Sequence, residues 1–566
     1  PNSLYDPNGS FQSINRRYDI VYGDVMLNFN YNINRFDIAA TVGWTGRYEN
    51  MNNMRVSTNG GLVTENWFDL NASRYTPSST LQRMELLKTG YMGTLSLGWD
   101  NYLFLELTGR QERSSTLKDQ SFFYPSANLS FLFTQAFHMP SWWNYGKLRL
   151  SYGIVGNAPE TYTANIVYEQ GSDNGFTWNT IPSSWGNADI RPEKKYEYEI
   201  GLESKFLNNR LGIDVSYYNN RVKDQILSTP QPSTSGVKNV LMNVGEVANR
   251  GWDISISATP ILTRDFRWDL TANYGVYKNK VVKLADGVPY LEILNSGGSG
   301  IKIQAVEGQP MGDIYAQVPQ VNENGEYLVS DKGLYLNQTE LQKVGNINPA
   351  GVGGLFNSFS YKNVFLDFSI DFRIGGDVIN EMNQYATAVG LTPESLKYRD
   401  TEHGGLSYYY PGDNNSSGIP VQVDPSTGAG PNGEIIYHDG IILPGVVAST
   451  GERNTRIIPA GYYYNTTYNW GTEAEQLTYR HSVFDNSYVK LRELTIGYQF
   501  PEKIISKLGL GRLSVSVFGR NLFYFYKALK NYDAESSVGT SWANQATVGS
   551  STTATRSFGV SLRASF

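Results

Sequence analysis

The sequence predicts an all-β fold, a transmembrane antiparallel β-barrel, on three observations. Apolar and polar residues alternate in stretch after stretch, charges are sparse among many aromatics, and short and long connections take turns. Period two puts every other side chain on the same face of a strand, so alternation marks a sheet with one apolar face. Of the 566 residues 18% are charged and 13% aromatic, with 40 Tyr against 25 Phe and 11 Trp; an ordinary soluble domain carries roughly 25% charge. The net charge of −6 fits neither a disordered nor a nucleic-acid-binding chain. No apolar run reaches the ~18 residues of a transmembrane helix, and no charged-then-apolar segment opens the chain at Pro1. The expectation is that a signal peptide has been removed or that the chain begins inside a longer precursor.

In chain order, strand candidates start near Asn15, Arg35, Gln82, Tyr102, Phe123, Tyr145, Glu193, Arg210, Asn239, Phe266, Val352, Val364, Asn486, Gly511 and Thr553. Each is on the scale of the roughly 9–11 residues that cross a bilayer as a tilted strand. The clearest are Leu211, Ile213, Val215 and Tyr217; Trp252, Ile254, Ile256 and Ala258; Val364, Leu366, Phe368, Ile370 and Phe372; and Phe558, Val560, Leu562, Ala564 and Phe566. Their other faces carry Ser, Asn, Asp, Thr and Arg, not the Lys and Glu of a soluble sandwich. Trp99, Tyr102, Trp252, Trp268 and Tyr274 gather at strand ends, as interfacial girdles do.

Tight connections fall at Asn32–Arg35, Asp100–Asn101, Leu207–Arg210, Thr259–Arg264 and Lys362–Asn363. Long ones run over Arg47–Leu81, Asn157–Ile190, Leu284–Gly351 and Asp377–Arg480. The asymmetry assigns turns to the periplasm and loops to the exterior. Pro501–Leu508, with Gly509 after it, reads as a short structural helix at a turn. About fifteen strands is an odd count where single-chain bacterial barrels are even, so one or several strands are expected before Pro1.

Asn243-Val244-Gly245-Glu246-Val247-Ala248-Asn249-Arg250-Gly251-Trp252-Asp253 resembles a characteristic strand of SusC-type (SusC/RagA-type) TonB-dependent transporters. Val344-Gly345-Asn346 with Pro349, Gly353-Gly354, Asn357 and Tyr361-Lys362 is similar to that family's hairpin. Asp485 to Leu494, Gly497 to Pro501, Gly519-Arg520-Asn521-Leu522 and Arg556 to Phe566 are similar to its closing strands. The resemblance implies a barrel of about 22 strands with an N-terminal plug, of which residues 1–566 would be the C-terminal barrel portion. Plug, TonB-contacting box and first strands would lie outside this chain. It also implies an integral protein of the Gram-negative outer membrane, a SusD-like surface lipoprotein over the extracellular loops, and TonB acting through the plug. A dimer of transporter–lid pairs is a further implied partner arrangement, and nucleic acid is not.

Candidate contacts for substrate or lid are the loop aromatics Trp178, Trp185, Tyr408, Tyr409, Tyr410, Tyr463, Trp470 and Trp542. Such rings stack on sugar faces, but they equally pack loops together or onto a lid. Arg149, Asp367, Asp371, Arg373, Arg520 and Arg563 are expected on the lumen or plug side, where buried charge needs partners. Asp413-Asn414-Asn415, Asp424 and Asp439 offer oxygen ligands for Ca²⁺, but without EF-hand spacing they read as solvated turns, and no cofactor or metal is expected.

With no Cys, four dispersed His and no GxSxG, nothing assembles a nucleophile or a metal centre, so no enzyme is expected. Three functions stay open: an importer of oligosaccharides or peptides, a passive porin, and a scaffold subunit of a larger outer-membrane assembly.

Overall fold

The computed structural model describes residues 8–118, 121–173, 175–296, 300–399, 401–402, 404–412, 418–468, 479–537, 539–549 and 554–565. Fifteen long strands form one sheet whose order follows the chain. They are β1 (Gln12–Ile33), β2 (Phe36–Leu62), β3 (Ser73–Trp99), β4 (Leu103–Ser114), β5 (Ser121–Phe131), β6 (Trp143–Asn157), β7 (Glu193–Phe206), β8 (Leu211–Lys223), β9 (Glu246–Leu262), β10 (Phe266–Lys283), β11 (Gly351–Tyr361), β12 (Val364–Ile374), β13 (Tyr488–Gln499), β14 (Arg512–Lys527) and β15 (Ser557–Ser565). The chain divides into two compact units: Pro1–Asn209 with Asp214–Arg250 and Val282–Val288, and Arg210–Ile213 with Gly251–Val281 and Pro289–Phe566.

The alternation becomes two chemically distinct faces. In the first unit Val25, Leu27, Phe29 and Tyr31 pair across β1–β2 with Trp44, Val42, Ala40 and Ile38. In the second, Phe558, Val560 and Leu562 pair with Gly519, Val517 and Val515 and are 74, 72 and 68% exposed. Each such side chain gains roughly 1.5–3 kcal/mol on leaving water. A face of this length is therefore stable against hydrocarbon and not against water. The opposite face is polar: Thr41 donates to Asn28 at 2.7 Å, and Asn128 to Glu106 at 3.3 Å.

The tight turns are closed by residues that tolerate left-handed backbone, among them Asn34 (φ 52°), Asp100 (φ 53°) and Asn101 (φ 59°). Helix α1 (Phe133–Ala136) is a single turn between β5 and β6, and the predicted turn helix is present as α4 (Glu502–Ile505) and a 3₁₀ turn (Ser506–Leu508), stopped by Gly509 at φ 70°.

Two expectations shift. Arg47–Leu81 is not mainly loop, because β2 and β3 stay in register from Phe36–Trp99 to Ser57–Ser78 and pair again at Leu62–Ser73. Backbone hydrogen bonds need no apolar face outside a bilayer, so the strands outrun their apolar stretch. The strand expected from Asn239 begins at Glu246. Asn239–Asn243 instead pairs with Ile226–Pro230 in a separate small sheet, and Gly245 at φ 94° breaks the chain between them.

Within the second unit the long segments fold on cores of their own. Ile301, Ile303, Ile314, Ala316, Ile347, Ile379 and Tyr479 form one. Val329, Leu334, Tyr335, Ile441, Leu443, Tyr463, Tyr464 and Tyr468 form another. No helix among the described residues is long and apolar enough to cross a membrane.

Candidate functional site in the long loops and on the polar strand face

Helices α2 (Glu381–Ala388) and α3 (Ala460–Tyr468) carry the second of these cores. Asn380 caps α2 by accepting from the backbone N–H of Asn383 at 3.1 Å. The turn of helix in α3 packs its tyrosines edge to face: Tyr463 lies 4.9 Å from Tyr464 and 6.3 Å from both Tyr335 and Tyr468. Together with Tyr327, Tyr398, Glu394, Lys397, Arg480 and His481 they line a cavity of about 360 Å³.

His481 stacks flat on Tyr468, 4.7 Å away. Desolvation first, then the nearby Arg480 and Lys397, pulls its pKa down to about 4, so the ring is neutral at pH 7. Desolvation also holds the Tyr463 phenol well above its ordinary value. The Tyr464 hydroxyl sits 2.9 and 2.8 Å from the carbonyls of Glu394 and Lys397. Lys397 is itself bridged to Glu394 at 3.2 Å. The cavity is therefore walled by buried phenol rings, and the Tyr464 hydroxyl is already bonded to backbone.

The loop aromatics expected to reach substrate or lid separate into two sets. Tyr408 and Tyr463 are 1 and 2% exposed and Tyr410 is buried, so their rings are committed to packing. Tyr408 stacks 5.4 Å from Tyr437 and donates to Asp439 at 3.0 Å. Trp178, Trp542 and the neighbouring Phe176 are exposed, Tyr409 and Trp185 partly so. Trp178 lies over Gly171 in the hairpin Glu169–Asp173 and Phe176–Thr180, and Trp185 meets Tyr168 edge-on at 5.9 Å. Trp470 lies outside the described residues, as do Asp413-Asn414-Asn415. Asp424 accepts from the backbone N–H of Ser426, a turn contact.

Four of the six strand charges find partners inside the protein. Arg149 meets Asp214 at 2.6 Å, Glu203 at 3.6 Å and Ser216 at 3.1 Å across β6, β7 and β8. Arg520 bonds Glu493 at 3.0 Å and lies over Phe518. Asp367 stands opposite Ser358 and Thr495 in register, and Arg563 opposite Ser514. Arg373 turns to the backbone, donating to the carbonyls of Ile347 (3.0 Å) and Gly375 (3.2 Å) where the chain leaves β12. Asp371 pairs with Arg492.

Arg492 belongs to a cluster that strand periodicity alone does not single out. The segment Tyr532–Glu535, beyond β14, brings a carboxylate back to the strand face. Glu535 takes Lys490 Nζ at 2.6 Å and both ends of the Arg492 fork at 2.8 and 2.6 Å. Desolvation alone would raise the Glu535 pKa, but the bonds from Arg492 and Lys490 outweigh it and hold the group at about 2. The signal was a pair of acids, Asp533 and Glu535, in the loop following two strand cations.

Comparison with known proteins agrees with this architecture. The family described as TonB dependent receptor-like, beta-barrel, matches residues 1–314. TonB-dependent receptor P3 of Formosa agariphila is 24% identical over 494 residues, covering 79% of this chain and 42% of that protein. TonB-dependent receptor SusC of Bacteroides thetaiotaomicron is 30% identical over 247 residues, covering 40% of this chain and 24% of that one. The chain thus spans less than half the length of these curated relatives. The solved RagAB peptide transporter shares the fold, with a TM-score of 0.64 at 18% identity over 93% of this chain and 54% of that one.

Proposed function

The chain belongs to the TonB-dependent receptor-like β-barrel family, integral proteins of the outer membrane, and from that premise we propose that it forms the wall and outer loops of a SusC-like importer of oligosaccharides or peptides. The observation that carries the reading is the two-faced sheet with its folded loops. An apolar face sits against lipid, a polar charged face lines a path, and the loops at one end hold a tyrosine-lined cavity.

A SusD-like lipoprotein closes over the loops, and the exposed Phe176, Trp178 and Trp542 are the side chains offered to solute or lid. The fold is shared with the solved RagAB peptide transporter, which supports peptide as a cargo. TonB acts through a plug, and the charged strand face, Arg149, Asp367 and Arg563 included, is the surface against which plug and solute move. The loops face outward and the tight turns face the periplasm. The chain performs no covalent chemistry; its work is selection and passage.

Uptake tests the reading. Cells carrying the full-length protein should accumulate labelled oligosaccharide or oligopeptide only while TonB is present, and the purified protein should be silent in planar bilayers. Uptake that survives loss of TonB, with steady conductance, would make it a porin. No uptake of either class would leave a scaffold.

A further inference from the structure

Lys490 is 2% exposed, and a buried ammonium persists only with a partner. Among the described residues its carboxylate partner is Glu535, which arrives from the loop rather than from the strands. The Tyr524 ring lies 4.8 Å beneath the same ammonium. Arg492 offers Glu535 two parallel donors, the fork geometry that matches a planar carboxylate. The strands by themselves hold Lys490, Arg492 and Lys527 against Asp371, two positive charges in excess. Glu535 and Asp533, both from the turn, bring the cluster to neutrality.

To either side of the turn 533–535 the loop is anchored, with Leu529, Tyr532 and Val548 packing on Val378 and Thr547 and Val548 pairing with Ile379 and Asn380, whereas the turn itself is attached by bonds that water can replace. Asn486 donates to the Ala534 carbonyl at 2.9 Å, Tyr524 to Asp533 at 2.6 Å, and Lys527 to the Tyr532 carbonyl at 2.6 Å. Lifting the turn without replacement takes the carboxylate from the Lys490 ammonium and from the outer end of the Arg492 fork, which keeps only Asp371 and Asn521. Lifting it in exchange for another carboxylate keeps both satisfied, so the seat discriminates by chemistry.

We propose that Glu535 occupies a carboxylate seat built from Lys490 and Arg492, and that the turn 533–535 is a latch which a carboxylate-bearing solute displaces. The proposal rests on the import reading above and adds to it the chemical group that the path recognises. That group has two sources, a uronate-containing oligosaccharide or the free C-terminus of a peptide.

The test uses the full-length purified protein with one cysteine, Ala534→Cys, on the latch itself and 6% exposed while it is seated. Maleimide labelling of this site should be slow in the resting protein. A galacturonate trimer or a tetrapeptide with a free C-terminus should speed it at least tenfold, and whichever arm responds identifies the source. A neutral glucose trimer and the tetrapeptide amide should not. Adding Glu535→Gln should make labelling fast without solute and abolish the response.

Equal acceleration by neutral and acidic solutes, or by none, overturns the seat, as does a Glu535→Gln protein that labels as slowly as its parent. Labelling needs no energised cell. A latch that exchanges in a protein that does not import removes the import reading alone, and a protein that imports past an indifferent latch removes the seat alone.

Discussion

Asn346 shows how one side chain can seat a loop on a strand. Its backbone N–H donates to Asp377 at 2.9 Å, its amide donates to Asp313 at 2.7 Å, and its oxygen accepts from the Asn348 backbone and side chain at 2.8 and 2.9 Å. Asp313 is fully buried and holds Lys343 at 2.7 Å on its other oxygen. Asn346→Ala removes a donor from a buried carboxylate and should cost about 2–4 kcal/mol locally. Hydrogen exchange of amides in Ile301–Ala316 is the measurement, with faster exchange there than in β12 as the outcome. Next to it, Gly376 has φ 79°, and a Cβ there would stand 2.4 Å from the Arg373 guanidinium and 3.0 Å from the Ile347 carbonyl. The sequence motif around Asn346 was visible, but its partners Asp313 and Asp377 lie 33 and 31 residues away in the chain. Periodicity carries no information over that distance. The same reason hid Glu535, and it made Tyr408 and Tyr463 indistinguishable from exposed loop aromatics.

Among the elements, α3 and the tyrosines around it respond to acid through His481. Its folded pKa of about 4 lies below the ordinary 6.5, so the unfolded loop binds the extra proton. Stability is then complete above pH 6.5 and is lost as pH falls from about 6.5 to about 4, by on the order of 3 kcal/mol at most. Proteolysis of the loop segment at pH 5 should be faster than at pH 7.5, and His481→Phe, which keeps the stack on Tyr468 and removes the proton, should flatten that difference. Glu535 acts lower on the scale. Its depressed pKa contributes above about 4.5 and is lost toward about 2. The strands themselves were legible because alternation is local, and most predicted starts fall within three residues of the observed ones. Two of the exceptions have physical causes: β3 begins nine residues ahead of Gln82 because its outer part is polar on both faces, and β9 begins late because Gly245 interrupts it. The third, Thr553, lies outside the described residues, and β15 begins at Ser557.

Over the whole molecule the lipid face is the property most exposed to a single charge. Leu562→Arg on β15 should cost about 2–4 kcal/mol if it lies near the bilayer midplane. Ser561→Arg, on the polar face opposite Ser516, should cost far less. Urea titration of the protein folded into vesicles separates the two, and equal losses would mean the faces were misassigned. β2 and β3 have one further consequence. Each is 27 residues long, about 90 Å at strand rise, while a tilted crossing uses about 10 residues. Roughly 17 residues of hydrogen-bonded ribbon are left over, longer than the ~30 Å hydrocarbon layer is thick. In the orientation proposed above, this ribbon is a stiff blade standing clear of the lipid surface, and its tip, the connection 63–72, is the first part of the unit that a phage, an antibody or a polysaccharide coat would touch.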